Sequence, residues 1–356
     1  MSHRLREPRI GLVLCAGGVL GGAWLAGALA ALSRETGWDP GDADYIVGTS
    51  AGSLFAALLA SRVPPRRLLP ASSDALTPGM SDDWLLMDLA MESAYELPVR
   101  FEFPRPGSLG LSLSGLRRDT NWPLLRALSG LIPRGRVSTE PIARTVRKAV
   151  RSGWARHPNC WITACDYATG QQVVFGREGA PEADLADAVA ASCAIPGYFE
   201  PVPIGDRSYV DGGVHSMSNA SLLAAEGLDL AVVLSPLSTR TPPKTWNPLE
   251  RFEGAVRRAA ARQLDAEVIR LLDAGTHVVV IEPTGDDLTA MGHNVMNARR
   301  CQRVVEVSLR TTTGQLRSPG VQGLLGLLPG DRQRTRRARQ LAELLRNAGF
   351  AAAAAV

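Results

Sequence analysis

Short apolar runs alternate with longer segments of helical periodicity along most of this chain. The short runs predict strands at 10–14, 45–49, 160–166, 172–175, 201–204, 207–210, 230–235 and 277–282. The periodic segments predict helices near 23–35, 51–61, 82–92, 138–151, 182–192, 217–226, 250–274 and 295–310. Such alternation is typical of an α/β fold. We therefore expect a three-layer α/β/α sandwich with a central, mostly parallel sheet and sites at the carboxyl ends of strands.

The second predicted strand runs directly into a turn of small residues with a serine at its centre. Gly48 and Gly52 flank Ser50 in the spacing G-x-S-x-G, and an apolar helical pattern follows over 53–60. A serine on a sharp strand-to-helix turn needs neighbours without bulk, because only then can its hydroxyl project from the sheet. The pattern predicts Ser50 as a nucleophile. A chance match in a chain with 35 glycines is the alternative.

A glycine-rich turn joins the first predicted strand to the first predicted helix. It reads Cys15-Ala-Gly-Gly-Val-Leu-Gly-Gly22. A turn of this kind presents backbone N–H groups at a helix N-terminus, where they can hold an anion. The anion could be a phosphate or the oxyanion of an acyl-transfer intermediate. The turn has neither the G-x-G-x-x-G nor the G-x-x-x-x-G-K-[ST] spacing of nucleotide-binding loops, so a nucleotide site is the weaker alternative.

The same stretch has a second interpretation as a secretory signal or a membrane span. Residues 10–32 carry no charge and follow Arg4, Arg6 and Arg9. The many glycines between residues 11 and 27 argue against a stable spanning helix, so we favour the globular interpretation.

A third segment places an acid at the end of a short predicted strand. The stretch 191–204 leads into Arg207-Ser-Tyr-Val-Asp-Gly-Gly213. The two glycines leave the Asp211 carboxylate open to a partner. The alternative is an Asp-Gly turn without chemical function.

Together the three segments resemble the patatin-like phospholipase family. Its members carry a glycine-rich oxyanion loop, G-x-S-x-G on the next strand, and D-G-[GA] after an A-S-x-x-x-P-x-x-F-x-P stretch. The resemblance covers about residues 8–310. It implies an α/β sandwich that hydrolyses lipid acyl esters by a Ser–Asp dyad without histidine. The site residues that it implies are Ser50 and Asp211 as the dyad, the backbone of Gly17, Gly18 and Val19 as the oxyanion hole, and Gly21, Gly48, Gly52, Gly212 and Gly213 as supporting glycines.

Two positions depart from the pattern of the family. Leu20 stands where Arg or Lys is usual before the last glycine of the oxyanion loop, and Ala16 stands where a glycine is common. We expect Leu20 to remove the help of a cation in binding an anionic head group. This departure also motivates the alternative of a catalytically silent lipid- or partner-binding protein.

A serine hydroxyl is a weak nucleophile and needs a base within hydrogen-bonding reach. Asp211 can serve if an apolar site raises its pKa. His215 is the alternative base, although none of the five histidines stands in a recognisable triad.

The domain organisation follows from where the motifs lie. We expect an acyl hydrolase domain over 8–310, with 62–135 as a helical or irregular insertion or lid. The remainder, 311–356, is expected to be a C-terminal appendage.

Composition limits the class of protein. The net charge is +4, spread along the chain, with 45% hydrophobic and 21% charged residues, and no motif predicts nucleic-acid binding. The five cysteines show no metal-type pairing or disulfide framework. We predict a cytoplasmic protein with a lipid or other acyl ester as substrate and no cofactor or metal. Peripheral membrane contact and the oligomeric state are left open.

Overall fold

A computed structural model describes residues 7–69, 107–114, 129–150, 153–240 and 248–329. The helix predicted at 82–92 and most of the predicted lid lie outside the described residues. The same holds for the C-terminal appendage beyond residue 329.

The strands within the described residues form one eight-stranded mixed sheet. They are β1 Ile10–Leu14, β2 Tyr45–Thr49, β3 Cys160–Asp166, β4 Gln172–Phe175, β5 Val202–Ile204, β6 Arg207–Asp211, β7 Leu230–Leu234 and β8 His277–Ile281. The hydrogen-bonded order is β5-β6-β3-β2-β1-β7-β8, and β4 also pairs with β3. Strands β1, β2, β3, β7 and β8 are parallel, whereas β4, β5 and β6 pair antiparallel. The expected mostly parallel sheet is confirmed.

Helices cover both faces of this sheet. The α-helices among the described residues are α1 Gly18–Thr36, α2 Ala51–Ala60, α3 Leu109–Ser114, α4 Glu140–Ala149, α5 Leu185–Ser192, α6 Pro248–Asp273, α7 Gly285–Met291, α8 Cys301–Leu316 and α9 Pro319–Leu325. Side chains alternate between the two faces along a strand. Leu12 accordingly belongs to the core that contains α1, α2 and α8, and Val13 to the core beneath α6. The three-layer α/β/α architecture follows.

The small residues of α1 allow it to pack closely against α8. A Cβ atom at Gly27 would lie 2.6 Å from the Val305 carbonyl oxygen and would overlap the Ser308 hydroxyl.

Residues 10–32 form a central strand and a helix buried in the core, and the interpretation as a membrane span is wrong. Among the described residues, no helix is both long and apolar enough to cross a membrane.

Three helix predictions differ from the structure. Segment 217–226 forms only a 3-10 turn at Ala220–Leu223. The Ser216 hydroxyl accepts the Asn219 N–H at 3.0 Å, and the Asn219 amide donates to the Ser216 carbonyl at 2.6 Å. Such local side-chain bonds compete with helix formation. In addition, α1 begins five residues earlier than predicted, at Gly18, and α8 begins later, at Cys301.

The boundary at residue 310 stays a prediction. Helix α8 continues across it to Leu316, which is buried in the same core as α1.

Candidate active site

The ends of β2 and β6 meet on one edge of β3. Strands β4 and β6 both pair with Ala164 and Cys165, so they lie on opposite edges of β3. Strands β2 and β4 likewise both pair with Ile162 and Thr163. Strands β2 and β6 therefore lie end to end along the same edge, one parallel and one antiparallel to β3. Their carboxyl ends, which carry Ser50 and Asp211, face each other.

Ser50 occupies a strained turn between β2 and α2. Its φ is 53° and its ψ is −126°, a conformation that costs a non-glycine residue of order 1–3 kcal/mol. The Ser50 N–H donates to the Ser192 hydroxyl at 2.9 Å, and the Ser50 carbonyl accepts the Ser53 hydroxyl at 2.6 Å. Two neighbouring hydroxyls therefore hold the turn in place.

The glycines around this turn are required by close packing. A Cβ atom at Gly48 would lie 2.6 Å from the Ser53 Cα, and one at Gly52 would overlap the Leu14 carbonyl oxygen. Neither position has room for a side chain. The G-x-S-x-G spacing thus reflects how tightly α2 approaches the ends of β1 and β2.

Asp211 is buried at the end of β6, and its carboxyl group interacts with the Ser50 side chain. Its N–H donates to the Ala194 carbonyl at 2.9 Å, and its Oδ1 accepts the Gly213 N–H at 2.7 Å. Burial raises the pKa of Asp211 from 3.8 to about 6, against the opposing effect of the bonds from Ser50 and Gly213. The carboxylate is therefore ionised at neutral pH and is a stronger base than an exposed aspartate.

The glycine pair after Asp211 lets β6 end against β3. A Cβ atom at Gly212 would lie 2.5 Å from the Thr163 carbonyl oxygen, and one at Gly213 would lie 3.0 Å from Asp211 Oδ1. Both glycines therefore keep side-chain bulk away from the carboxyl group and its strand partner.

The glycine-rich turn forms the N-terminus of α1. Among the described residues, the N–H groups of Gly17, Gly18 and Val19 donate to no acceptor, whereas the Leu20 N–H donates to the Val295 carbonyl at 2.8 Å. Unpaired N–H groups in the first turn of a helix are suited to hold an anion.

Close contacts fix the position of this turn. A Cβ atom at Gly17 would lie 2.7 Å from the Gly21 Cα and 2.8 Å from the Pro236 Cγ. Gly18 adopts the left-handed conformation with φ of 61°. The Ala16 N–H donates to the Met217 carbonyl at 2.8 Å, which ties the turn to the loop that follows Asp211.

An apolar cavity of about 90 Å³ opens beside Ser50. It lies between α1 and α2 and is lined by Gly18, Val19 and Ser50 together with apolar side chains such as Phe55 and Phe199. Its volume is several times the ~15 Å³ that one water needs, and cavities with such walls take apolar ligands.

A model of the patatin-like phospholipase family matches residues 12–224. This span is more than half of the chain and includes the glycine turn, Ser50 and Asp211. The chain belongs to the patatin-like phospholipase family. The family implies lipid substrates and lipid acyl hydrolase activity in general.

The solved structures that are similar to this chain include those of two proteins. VipD from Legionella pneumophila is 14% identical over 86% of this chain and 67% of its own chain, with a TM-score of 0.34. A human GIVD cytosolic phospholipase A2, in complex with the inhibitor methyl gamma-linolenyl fluorophosphonate and terbium chloride, is 12% identical over 92% of this chain, with a TM-score of 0.35. The chain spans 61% of the length of that human protein.

Leu20 lies in the first turn of α1, directly after Val19. Its side chain is fully buried in the core and does not line the cavity. The expectation that Leu20 removes the help of a cation in binding an anionic head group stays a prediction.

His215 is not brought to the cavity. It follows the 3-10 turn Gly212–Val214, and its carbonyl accepts the Gln263 side chain at 3.3 Å. The pKa of Asp211 is set by burial, by Ser50 and by the Gly213 N–H, without a contribution from His215.

Two residues that support the site, Ser192 and Asn219, were not identified from the sequence. Ser192, which bonds the Ser50 N–H, lies within the recognised A-S-x-x-x-P stretch, so a signal existed. Asn219 donates to the Thr49 hydroxyl at 2.9 Å and the Thr163 hydroxyl at 3.2 Å, and so joins the ends of β2 and β3. A lone asparagine after a turn offers no sequence signal for this role.

The five cysteines are all free and buried. Within the described part of the chain, no group of three or more His, Cys, Asp or Glu residues could hold a metal ion.

Proposed function

We propose that this patatin-like protein is a serine hydrolase that cleaves acyl esters of lipids. Ser50 is the nucleophile, Asp211 is the general base, and the N–H groups of Gly17, Gly18 and Val19 form the oxyanion hole. The observation that carries the proposal is the buried Asp211 carboxyl, which interacts with the side chain of Ser50 where the ends of β2 and β6 meet, while Ser50 itself lines an apolar cavity.

The first step needs a base that is ionised and strong at working pH. Proton transfer is most effective when the pKa of the base lies near that pH. With a pKa of about 6, Asp211 can accept the Ser50 proton as the Oγ attacks the carbonyl carbon of the ester. A solvated aspartate, with a pKa of about 3.9, would be a much weaker base.

The tetrahedral intermediate places negative charge on the former carbonyl oxygen. The N–H groups of the glycine turn are oriented before the reaction, and one such donor is worth about 10²–10³ in kcat. Collapse of the intermediate breaks the ester C–O bond. The leaving alcohol takes the proton from Asp211 and leaves an acyl group on Ser50.

In the second half of the reaction, water replaces Ser50 as the nucleophile and hydrolyses the acyl group on Ser50. Asp211 accepts a proton from the attacking water, and a second oxyanion forms in the same hole. The acyl–Oγ bond then breaks, Ser50 regains its proton, and the carboxylic acid leaves. The apolar cavity is suited to hold the hydrocarbon chain of the acyl group through both steps.

One alternative is a catalytically silent lipid- or partner-binding protein, which the departure from the family pattern at Leu20 motivates. A glycine-turn phosphate binder remains the other alternative. Both differ from the hydrolase in one chemical property, since only an activated serine reacts with a fluorophosphonate.

Labelling with a fluorophosphonate probe tests the proposal. We expect the purified protein to be labelled at Ser50, as located by peptide mapping, and the Ser50→Ala variant to remain unlabelled. Ser33→Ala is the matched control, because Ser33 lies near the far end of α1 and should leave labelling unchanged. No labelling of the folded wild-type protein, or labelling at another serine, would refute the hydrolase.

A further inference from the structure

The cavity runs along two helices that both begin at the candidate active site. Helix α1 starts at Gly18, and α2 starts at Ala51, directly after Ser50. Residues four apart lie on one helix face. Gly18 and Gly22 of α1 and Ala51 and Phe55 of α2 accordingly line the same cavity. An acyl chain attached to Ser50 would therefore pass Gly22 as it runs between the helices.

Gly22 differs from the other glycines of the site. Most of those exclude a Cβ atom because it would collide with the protein. A Cβ atom at Gly22 would lie 3.5 Å from the Phe55 Cε2 and 3.8 Å from the Ala51 Cβ, which are ordinary contact distances. Its φ is also not positive, so its backbone does not require glycine.

A glycine inside a helix is unfavourable relative to alanine unless something needs the space. Gly22 is buried, and the protein itself leaves room for a methyl group there. Gly22 lines the cavity, so the space beside it is part of the cavity. The missing side chain therefore keeps open a gap between α1 and Phe55 that only a ligand would use.

We propose that Gly22 determines how long an acyl chain the cavity accepts. This inference rests on the proposed acyl-ester hydrolysis. Four residues of helix rise by about 6 Å from Gly18 to Gly22. The count starts at the ester carbonyl carbon, which the proposed oxyanion hole holds beside Gly18. Carbon–carbon bonds of about 1.5 Å advance an extended chain by roughly 1.3 Å each, so Gly22 lies level with about the fifth carbon of the acyl chain.

The experiment compares chain-length profiles of three variants. Gly22→Ala and Gly22→Val add one and three carbons at the wall, and Gly314→Ala is the matched control. Gly314 is an exposed glycine in α8 whose Cβ would contact nothing within 4 Å. Each alanine variant replaces a helical glycine, so both should keep or raise the melting temperature. Only the Gly22 variants narrow the cavity.

We expect kcat/KM for p-nitrophenyl acetate and butanoate to change little in all variants. For the decanoate, kcat/KM should fall about tenfold or more in Gly22→Val and by less in Gly22→Ala, since pockets discriminate single methylenes by about this much. Gly314→Ala should retain the wild-type profile. A loss that is equal at every chain length, or an unchanged profile, would overturn the role of Gly22.

Binding of decanoate, measured by calorimetry, separates this inference from the proposed function. A wild-type protein that hydrolyses no ester and resists the fluorophosphonate would refute the hydrolase. Weaker decanoate binding in Gly22→Val than in Gly314→Ala would still support the cavity role, and equal binding would overturn it.

Discussion

Replacement of Asp211 by Asn should stabilise the folded protein by an amount that grows with pH. Asparagine keeps the size and the acceptor oxygen of aspartate, so the bonds from the Ser50 side chain and the Gly213 N–H can persist. It carries no titratable group. The substitution therefore removes mainly the cost of holding a charge in a buried site.

The magnitude follows from the pKa of the carboxyl group. Burial raises this pKa from 3.8 to about 6, so the folded state binds the proton more tightly than the unfolded state. Below the unfolded pKa both states are protonated and nothing is lost. Stability falls as pH rises from there to about 6, because only the unfolded state releases its proton. At about 1.4 kcal/mol per pH unit, the loss levels off near 3 kcal/mol.

Urea unfolding of wild type and Asp211→Asn, at several pH values between about 4 and 8, measures this difference. The free energy of unfolding of the variant minus that of wild type should rise between pH 4 and 6 and then stay constant. A fixed offset from altered hydrogen bonding does not affect this slope. A difference that is flat over the whole range, or that falls with pH, would refute the argument that burial makes Asp211 basic.

Four further predictions concern activity and packing. Ser50→Ala and Asp211→Asn should each abolish hydrolysis of a short p-nitrophenyl ester in folded protein, because nucleophile and base act as a unit; turnover by Ser50→Ala would contradict the assignment. The wild-type kcat/KM should fall about tenfold per pH unit below about pH 6, and a flat profile would exclude Asp211 as base. His215→Ala should leave the same hydrolysis nearly intact, whereas a fall of about a hundredfold would favour a histidine base. Leu20→Arg should lower the melting temperature sharply, since it buries a charge in the core; an unchanged melting temperature would contradict the buried position of Leu20.

The strands were predictable because each is a short apolar run with clear ends. A charged residue directly precedes each of β1, β2 and β7, and the structure places these strands within one residue of the sequence prediction. The motifs that follow β1, β2 and β6 could likewise be read from the order of glycines around Ser50 and Asp211. Local sequence carries this information because it limits which backbone turns are allowed.

The direction in which β6 pairs with β3 could not be predicted from the local sequence. The sequence interpretation placed Asp211 at the carboxyl end of a strand in a mainly parallel sheet, but β6 runs antiparallel to β3. Strand direction depends on contacts between segments far apart in the chain. Those contacts leave no local pattern in residues 207–211.

The orientation of side chains could not be predicted from the sequence either. The motif marks Leu20 only as a departure from the usual cation, and it does not show that this side chain is buried in the core. The hydrogen bond from the Ser50 N–H to the Ser192 hydroxyl joins residues 142 positions apart. Neither feature has a periodicity that sequence analysis could detect.

The end-to-end meeting of β2 and β6 bears on why a dyad would suffice without histidine. The side chains of Ser50 and Asp211 come from the two facing strand ends and interact with each other, so the proposed dyad needs no third side chain between them. A carboxylate in that position is a useful base only if its pKa rises, and the burial of Asp211 raises it. The same burial weakens the fold once Asp211 ionises. In this arrangement basicity and instability have one physical origin, so a variant that keeps Asp211 but lets water reach it should gain stability at neutral pH and lose hydrolysis.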